Sequence, residues 1–241
     1  MQIYIYMKQS RYIRIYMVVY GKMFQLNSVV CIDMAYECVL SSEVNIFHKP
    51  SRIILSSFSG GGKSWLCSQL IRKYKELFDR IICVGSRLEN LEDVKIEYHD
   101  FYDPFEQELT GKTLIVWDDL VFNKPQMKII ANSYIKSRHL NISNIFLVQS
   151  LFVADPLYRI ISSNANYFIL LKSRDRVQIA RFASTFLPKH KVEKFVRLHT
   201  KLTTENKFGY IVVDFNKDFE NDPLALRTNI AYEEYERCFL L

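Results

Sequence analysis

Residues 52 to 64 read Arg52-Ile-Ile-Leu-Ser-Ser-Phe-Ser-Gly-Gly-Gly-Lys-Ser64. This is a short apolar run, a glycine-rich turn, and a Lys-Ser pair placed to open a helix. The order strand, glycine turn, Lys-Ser is that of a phosphate-binding loop. Glycine tolerates the positive φ that a ring of inward-pointing N–H groups requires, and a helix N-terminus adds a favourable field for an anion. In the general pattern G-x-x-x-x-G-K-[ST], Lys63 reaches the β- and γ-phosphates and Ser64 places its hydroxyl on Mg²⁺. The nucleotide-contacting set expected here is Ser59, Gly60, Gly61, Gly62, Lys63, Ser64 and Trp65. One position departs from the pattern: Ser57 stands where the first glycine belongs.

Working outward, Leu66, Leu70, Tyr74 and Leu77 recur at three- and four-residue spacing after Lys63. That period predicts a helix with one apolar face. Apolar runs of strand length recur at 52–57, 80–84, 113–117, 144–149, 167–171 and 210–215. They are apolar on both alternations, as strands buried on both faces must be. Further helices are expected from Pro125 to Arg138 and starting near Asp155, Arg174 and Pro188. Strands alternating with helices predict an α/β fold with a mostly parallel central sheet flanked by helices.

Two more strand ends carry chemistry. Thr113-Leu-Ile-Val-Trp-Asp-Asp119 is an apolar strand running into two carboxylates about fifty residues after the loop. In a Walker B role, Asp118 holds Mg²⁺ and Asp119 polarises the attacking water as general base. Asn144-Ile-Phe-Leu-Val-Gln149 ends in a lone amide, which suits a sensor of the γ-phosphate. A phosphate loop, an acidic strand end and a polar strand end, in that order, predict a P-loop NTPase of the additional-strand type with ATP and Mg²⁺ as cofactors. Arg138 and Arg159 flank the sensor strand, and each is a candidate finger for a neighbouring subunit's γ-phosphate. A GTPase lacks support because no Asn-Lys-x-Asp element is present, and a small-molecule kinase because no lid is evident.

The 241 residues carry a net charge of +6, with 49% hydrophobic residues and 6 prolines. That is a globular composition, and the charge permits a polyanionic partner without demanding one. From Arg181 to Lys201 six Lys or Arg stand against one Glu, a stretch that either lines a DNA channel through phosphate contacts or is a solvated helix face. The five cysteines contain no C-x-x-C pair, so neither a disulfide framework nor a zinc site is expected. Between Met1 and Tyr20 the apolar runs are broken by Lys8, Arg11 and Arg14, so neither a membrane span nor a secretory signal is expected.

Taken together, these residues resemble the genome-packaging ATPases of the FtsK/HerA superfamily, in particular the poxvirus-type enzymes and those of Maverick/Polinton elements and adintoviruses. The resemblance covers roughly residues 48 to 230. It rests on His48-Lys-Pro-Ser-Arg-Ile-Ile-Leu, Trp-Asp-Asp-Leu120, Arg138-His-Leu-Asn-Ile-Ser-Asn-Ile-Phe-Leu-Val-Gln-Ser150 and Tyr167-Phe-Ile-Leu-Leu-Lys-Ser-Arg-Asp175. Phe208-Gly-Tyr-Ile-Val-Val-Asp214 and Leu226-Arg-Thr-Asn-Ile230 are also similar. The resemblance implies an ATP-driven translocase of double-stranded DNA, assembled as a homo-oligomeric ring, with a hexamer expected. Its partners would be DNA and capsid or portal-like proteins, without a membrane, and it would act inside the host cell, in nucleus or cytoplasm, where virions assemble. The implied organisation is an N-terminal extension over 1–45, partly disordered, an ATPase domain over 46–230 and a tail over 231–241. Ser57 and the Ser-Phe-Ser59 lead-in depart from the family's Gly-Pro-Ser or Gly-Pro-Thr. This keeps a second reading open, a degraded copy that binds nucleotide, DNA or a capsid partner without turnover.

Overall fold

The computed structural model describes residues 2–6, 14–19, 22–32, 35–40, 45–106, 110–121, 123–217, 225–231 and 236–241. In chain order the first strands are β1 (Gln2–Tyr6), β2 (Arg14–Val19), β3 (Lys22–Ile32) and β4 (Ala35–Leu40). Then follow β5 (Arg52–Ser56), α1 (Lys63–Tyr74), β6 (Arg80–Val84), β7 (Glu97–His99), β8 (Thr113–Asp118), α2 (Lys124–Lys136) and β9 (Ile142–Val148). The chain continues through α3 (Pro156–Asn164), β10 (Tyr167–Leu171), α4 (Arg176–Phe186) and α5 (Val192–Glu205). It closes with β11 (Tyr210–Asp214), β12 (Leu226–Thr228) and β13 (Glu236–Leu240). Two compact units result, Asn45–Arg174, and Asp175–Leu241 together with Met1–Val44.

The unit Asn45–Arg174 carries the parallel sheet. Its strand order is β10-β5-β9-β8-β6-β7, and every neighbouring pair is parallel. β9 therefore lies between β5 and β8, the strand insertion that defines the additional-strand type. β5, β9 and β10 are buried along their whole length, which accounts for the apolar runs Ile53–Leu55, Ile145–Val148 and Tyr167–Leu171 within them. Trp117 is fully buried and its indole N–H donates to Asn144 Oδ1 at 2.9 Å, an acceptor shared with Ser133 Oγ at 2.8 Å. This polar node fastens α2 to the middle of the sheet, since Trp117 would otherwise bury an unpaired donor.

α2, α3 and α4 begin at residues whose side chains accept orphan N–H groups. Asn123 caps α2 through Gln126 N at 3.1 Å. Asp155 caps α3 by accepting from Leu157 N at 2.7 Å and Tyr158 N at 3.3 Å, and it also pairs with Lys124. Asp155→Ala is expected to lower stability by about 1–2 kcal/mol through loss of the cap. A fall in the urea midpoint at unchanged slope would show this, and an unchanged midpoint would refute it.

The other unit is antiparallel, with strand order β1-β2-β3-β4-β13-β12-β11. Phe182, Phe186, Phe195 and Phe215 form its aromatic cluster, with centroids 4.9 to 6.4 Å apart. The segment expected as an extension thus carries four strands, and the expected tail carries β13, which pairs with β4 and β12. The expected disorder in part of the extension falls on residues outside the described ones. Among the described residues no helix is long and apolar enough to cross a membrane.

Candidate nucleotide site

Strand register brings three chemically marked chain segments to one edge of the parallel sheet. Ser56 of β5 lies opposite Val148 of β9, and Leu147 of β9 lies opposite Asp118 of β8. The pairing runs one residue further, with Ser57 N donating to Val148 O at 3.2 Å and Asp119 N to Leu147 O at 3.3 Å. The glycine loop, the two aspartates and Gln149 therefore leave the sheet together.

Gly60 and Gly62 have φ of 75° and 95°, values at which any side chain is strained. Gly62 precedes α1 and provides no side-chain cap, and the field of a helix N-terminus favours an anion there. Lys63 is buried, and its ammonium donates to Ser57 O at 3.0 Å and Phe58 O at 3.3 Å, closing across the loop. Burial pulls the Lys63 amine below the ordinary lysine range, while the negative charges of Asp118 and Asp119 oppose that shift. Ser59, Gly60 and Ser64 are exposed, and Trp65 is half-buried.

Asp118 and Asp119 face different environments. Asp118 is half-buried, and desolvation raises its carboxyl above the usual range, countered first by a hydrogen bond from Ser86 and, more weakly, by Lys63. Asp119 is exposed and has φ of 52°, a left-handed conformation that costs a non-glycine residue energy and clusters at functional sites. Gln149 Nε2 donates to Asp119 Oδ2 at 2.6 Å, so the amide and the carboxylate form one unit. No group of three or more His, Cys, Asp or Glu among the described residues could hold a metal by itself. Ser64 and Asp118 are oxygen donors of the kind Mg²⁺ uses when phosphate oxygens and waters complete its shell.

The two arginines separate. Arg138 is exposed in the turn before β9, and a seven-residue strand with a rise of about 3.3 Å per residue puts roughly 20 Å between it and Gln149. It sits near Arg52 at the start of β5, whose basicity burial lowers first and the Arg138 charge lowers further. Arg159 is exposed on α3, which follows β9 and so starts from the Gln149 edge.

No family model matches the chain, and no curated protein sequence matches it. Among solved structures, the genome packaging NTPase B204 from Sulfolobus turreted icosahedral virus 2, in complex with sulfate, aligns with a TM-score of 0.51 and 18% identity over 70% of this chain and 93% of that one. The two chains share a fold. The same protein in complex with ATP-gammaS aligns with a TM-score of 0.48 at 16% identity, over 69% and 93% of the two chains. ATPases 2 and 3 of Thermomonospora curvata EccC give 0.42 at 14% identity, over 58% and 32%.

Within this fold, three contacts have no signal in the sequence pattern beyond the glycine directly after the apolar run 80–84. Gly85 has φ of 101°, and a Cβ there would lie 2.6 Å from Asp118 O. Ser57 Oγ donates to Lys172 O at 2.9 Å, and the Arg174 guanidinium stacks 4.5 Å over the Phe58 ring. Nothing in the spacing of residues 57–58 and 172–174 announces those contacts, because they join segments more than a hundred residues apart.

Proposed function

We propose that this chain is an ATP hydrolase that drives the translocation of viral-type double-stranded DNA into a capsid. The observation that carries this reading is the meeting of Lys63, Asp118, Asp119 and Gln149 at one edge of an additional-strand sheet. The fold neighbour, itself described as a genome packaging NTPase, supports it. In this reading residues 59–65 wrap the phosphates of ATP, with Lys63 leaving its carbonyl partners for the β- and γ-oxygens. Ser64 and Asp118 would hold Mg²⁺, which would supply charge neutralisation for the phosphates. Asp119 takes the proton of the attacking water, and Gln149 orients that water against the γ-phosphate.

Arg138 and Arg159 lie toward opposite strand ends, so a ring in which one subunit offers an arginine to the next would use one of them and not both. Capsid or portal-like proteins are the partners this activity requires, and the host interior is its place of action.

The test is ATP hydrolysis by the purified protein with and without linear duplex DNA, beside a mass measurement of the assembly. Stimulation by DNA in an oligomer is the expected result. A monomer indifferent to DNA would overturn the translocase, and hydrolysis undiminished in Lys63→Ala would overturn the site. Binding of ATP without turnover would instead favour a degraded copy, the reading that Ser57 motivates.

A further inference from the structure

Three glycines stand together at 60–62, and only two of them are explained by backbone conformation. Gly61 is absent from the residues with positive φ, so any amino acid could adopt its backbone. Its constraint is space. A Cβ at Gly61 would fall 2.0 Å from Ser57 Oγ, 3.0 Å from Ser57 Cβ and 3.0 Å from Phe58 O. The general pattern demands glycine at position 57 and leaves position 61 open. This chain does the reverse, with a side chain at 57 and none at 61.

Ser57 does more than occupy the gap. It is buried, and its hydroxyl donates to Lys172 O, just past the end of β10. The next residue, Phe58, is overlaid by the guanidinium of Arg174 from the same segment. Phe58 O is also the acceptor for Gly61 N at 3.0 Å and for the Lys63 ammonium. Ser57, where this loop departs from the general pattern, and its neighbour Phe58 are thus the two residues that tie the loop to residues 172–174.

We propose that Ser57 and Gly61 are a compensated pair that clamps the phosphate loop to the exit of β10, with Arg174 on Phe58 as the second jaw, making Ser57 and Arg174 positioning residues for nucleotide binding. The proposal rests on the P-loop reading of Lys63 and refines it. Ser57 is then a substitute anchor and no sign of decay. Rotating its hydroxyl to admit a Cβ at 61 would break the bond to Lys172, so the space and the anchor cannot both be kept.

A double-substitution cycle tests this with two readouts, hydrogen exchange of the loop in nucleotide-free protein and affinity for a fluorescent ATP analogue. Gly61→Ala is expected to speed loop exchange and weaken the analogue at least about tenfold, roughly 1.4 kcal/mol. Adding Ser57→Gly should restore most of the affinity by reopening the space, whereas Ser57→Ala keeps a Cβ 3.0 Å from the new methyl and should restore less. Ser57→Ala alone and Arg174→Ala alone should each speed loop exchange, with Arg174→Lys partly rescuing through the retained cation. Should Gly61→Ala fail to fold, recovery of soluble protein in the Ser57→Gly, Gly61→Ala double variant reads the same coupling. Gly61→Ala that binds as the parent does, or a double variant no better than Gly61→Ala, overturns the pair. Unchanged exchange in Arg174→Ala overturns the second jaw. A parent that binds no ATP analogue while its loop exchange still shows the coupling would sink the nucleotide reading and leave the clamp standing.

Discussion

Asp119→Asn is expected to bind ATP as the parent does and to hydrolyse it about 10²–10⁴-fold more slowly, the range lost with a general base. The amide keeps the size of the carboxylate and can still meet Gln149, which now lies 2.6 Å from Asp119 Oδ2. What it cannot do is take a proton. Gln149→Ala should cost less than this in turnover. It removes the amide to which the proposed mechanism gives the orienting of water, and leaves Asp119 in a strained φ of 52° with one fewer partner. Single-turnover hydrolysis beside equilibrium binding separates the two effects. Turnover of Asp119→Asn at the parental rate would remove Asp119 from the role of base.

The second large effect concerns stability, in the antiparallel unit. Arg227 is fully buried, with NH2 3.4 Å from Asp214 and NH1 3.1 Å from Glu236, both carboxylates almost wholly buried as well. One guanidinium thereby joins β11, β12 and β13. Arg227→Ala takes the shared cation away from two buried carboxylates, leaving Asp214 with Asn216, and is expected to cost roughly 3–5 kcal/mol, the penalty for removing one partner of a buried ion pair. Replacing all three with apolar residues of similar volume should cost far less, because no charge is then left without water or partner.

The pH dependence has a definite sign. Desolvation already holds the Asp214 carboxyl above its ordinary range, and Arg227 is the first opposing influence. Without Arg227 the folded-state affinity for protons rises further above that of the unfolded chain. The deficit of the variant should therefore shrink as pH falls through the raised folded-state value and be largest at neutral pH. Chemical denaturation of parent and variant at two pH values checks this, and a deficit that grew toward acid would contradict it.

Most of the parallel unit was legible because its signals are local. β5, β6, β8, β9 and β10 each contain an apolar run of at least three residues, and α1 falls on a clear helical period. The marked residues at 63, 118, 119 and 149 follow strand ends, and parallel register is enough to gather them. The antiparallel unit was harder to read. β12 and β13 are short and carry Arg227 and Glu236, charges that argue against a buried strand until each is seen to satisfy the other. β1 and β2 lie in a leader broken by Lys8, Arg11 and Arg14, so its runs lacked the continuity of a core strand. β7 has three half-buried residues and no apolar signature. The clamp at Ser57 was hidden for a different reason: a departure from a pattern shows in one sequence, whereas its compensation shows only in three dimensions.

β5 runs between β10 and β9 and is hydrogen-bonded along both sides. A strand held this way behaves like a beam fixed along its length rather than a lever hinged at one end. Whatever pull a bound phosphate exerts on the loop is shared at once by two neighbours. One of them leads directly to Gln149 and the other to Lys172 and Arg174, so a displacement of the loop is passed through the sheet to both strand ends.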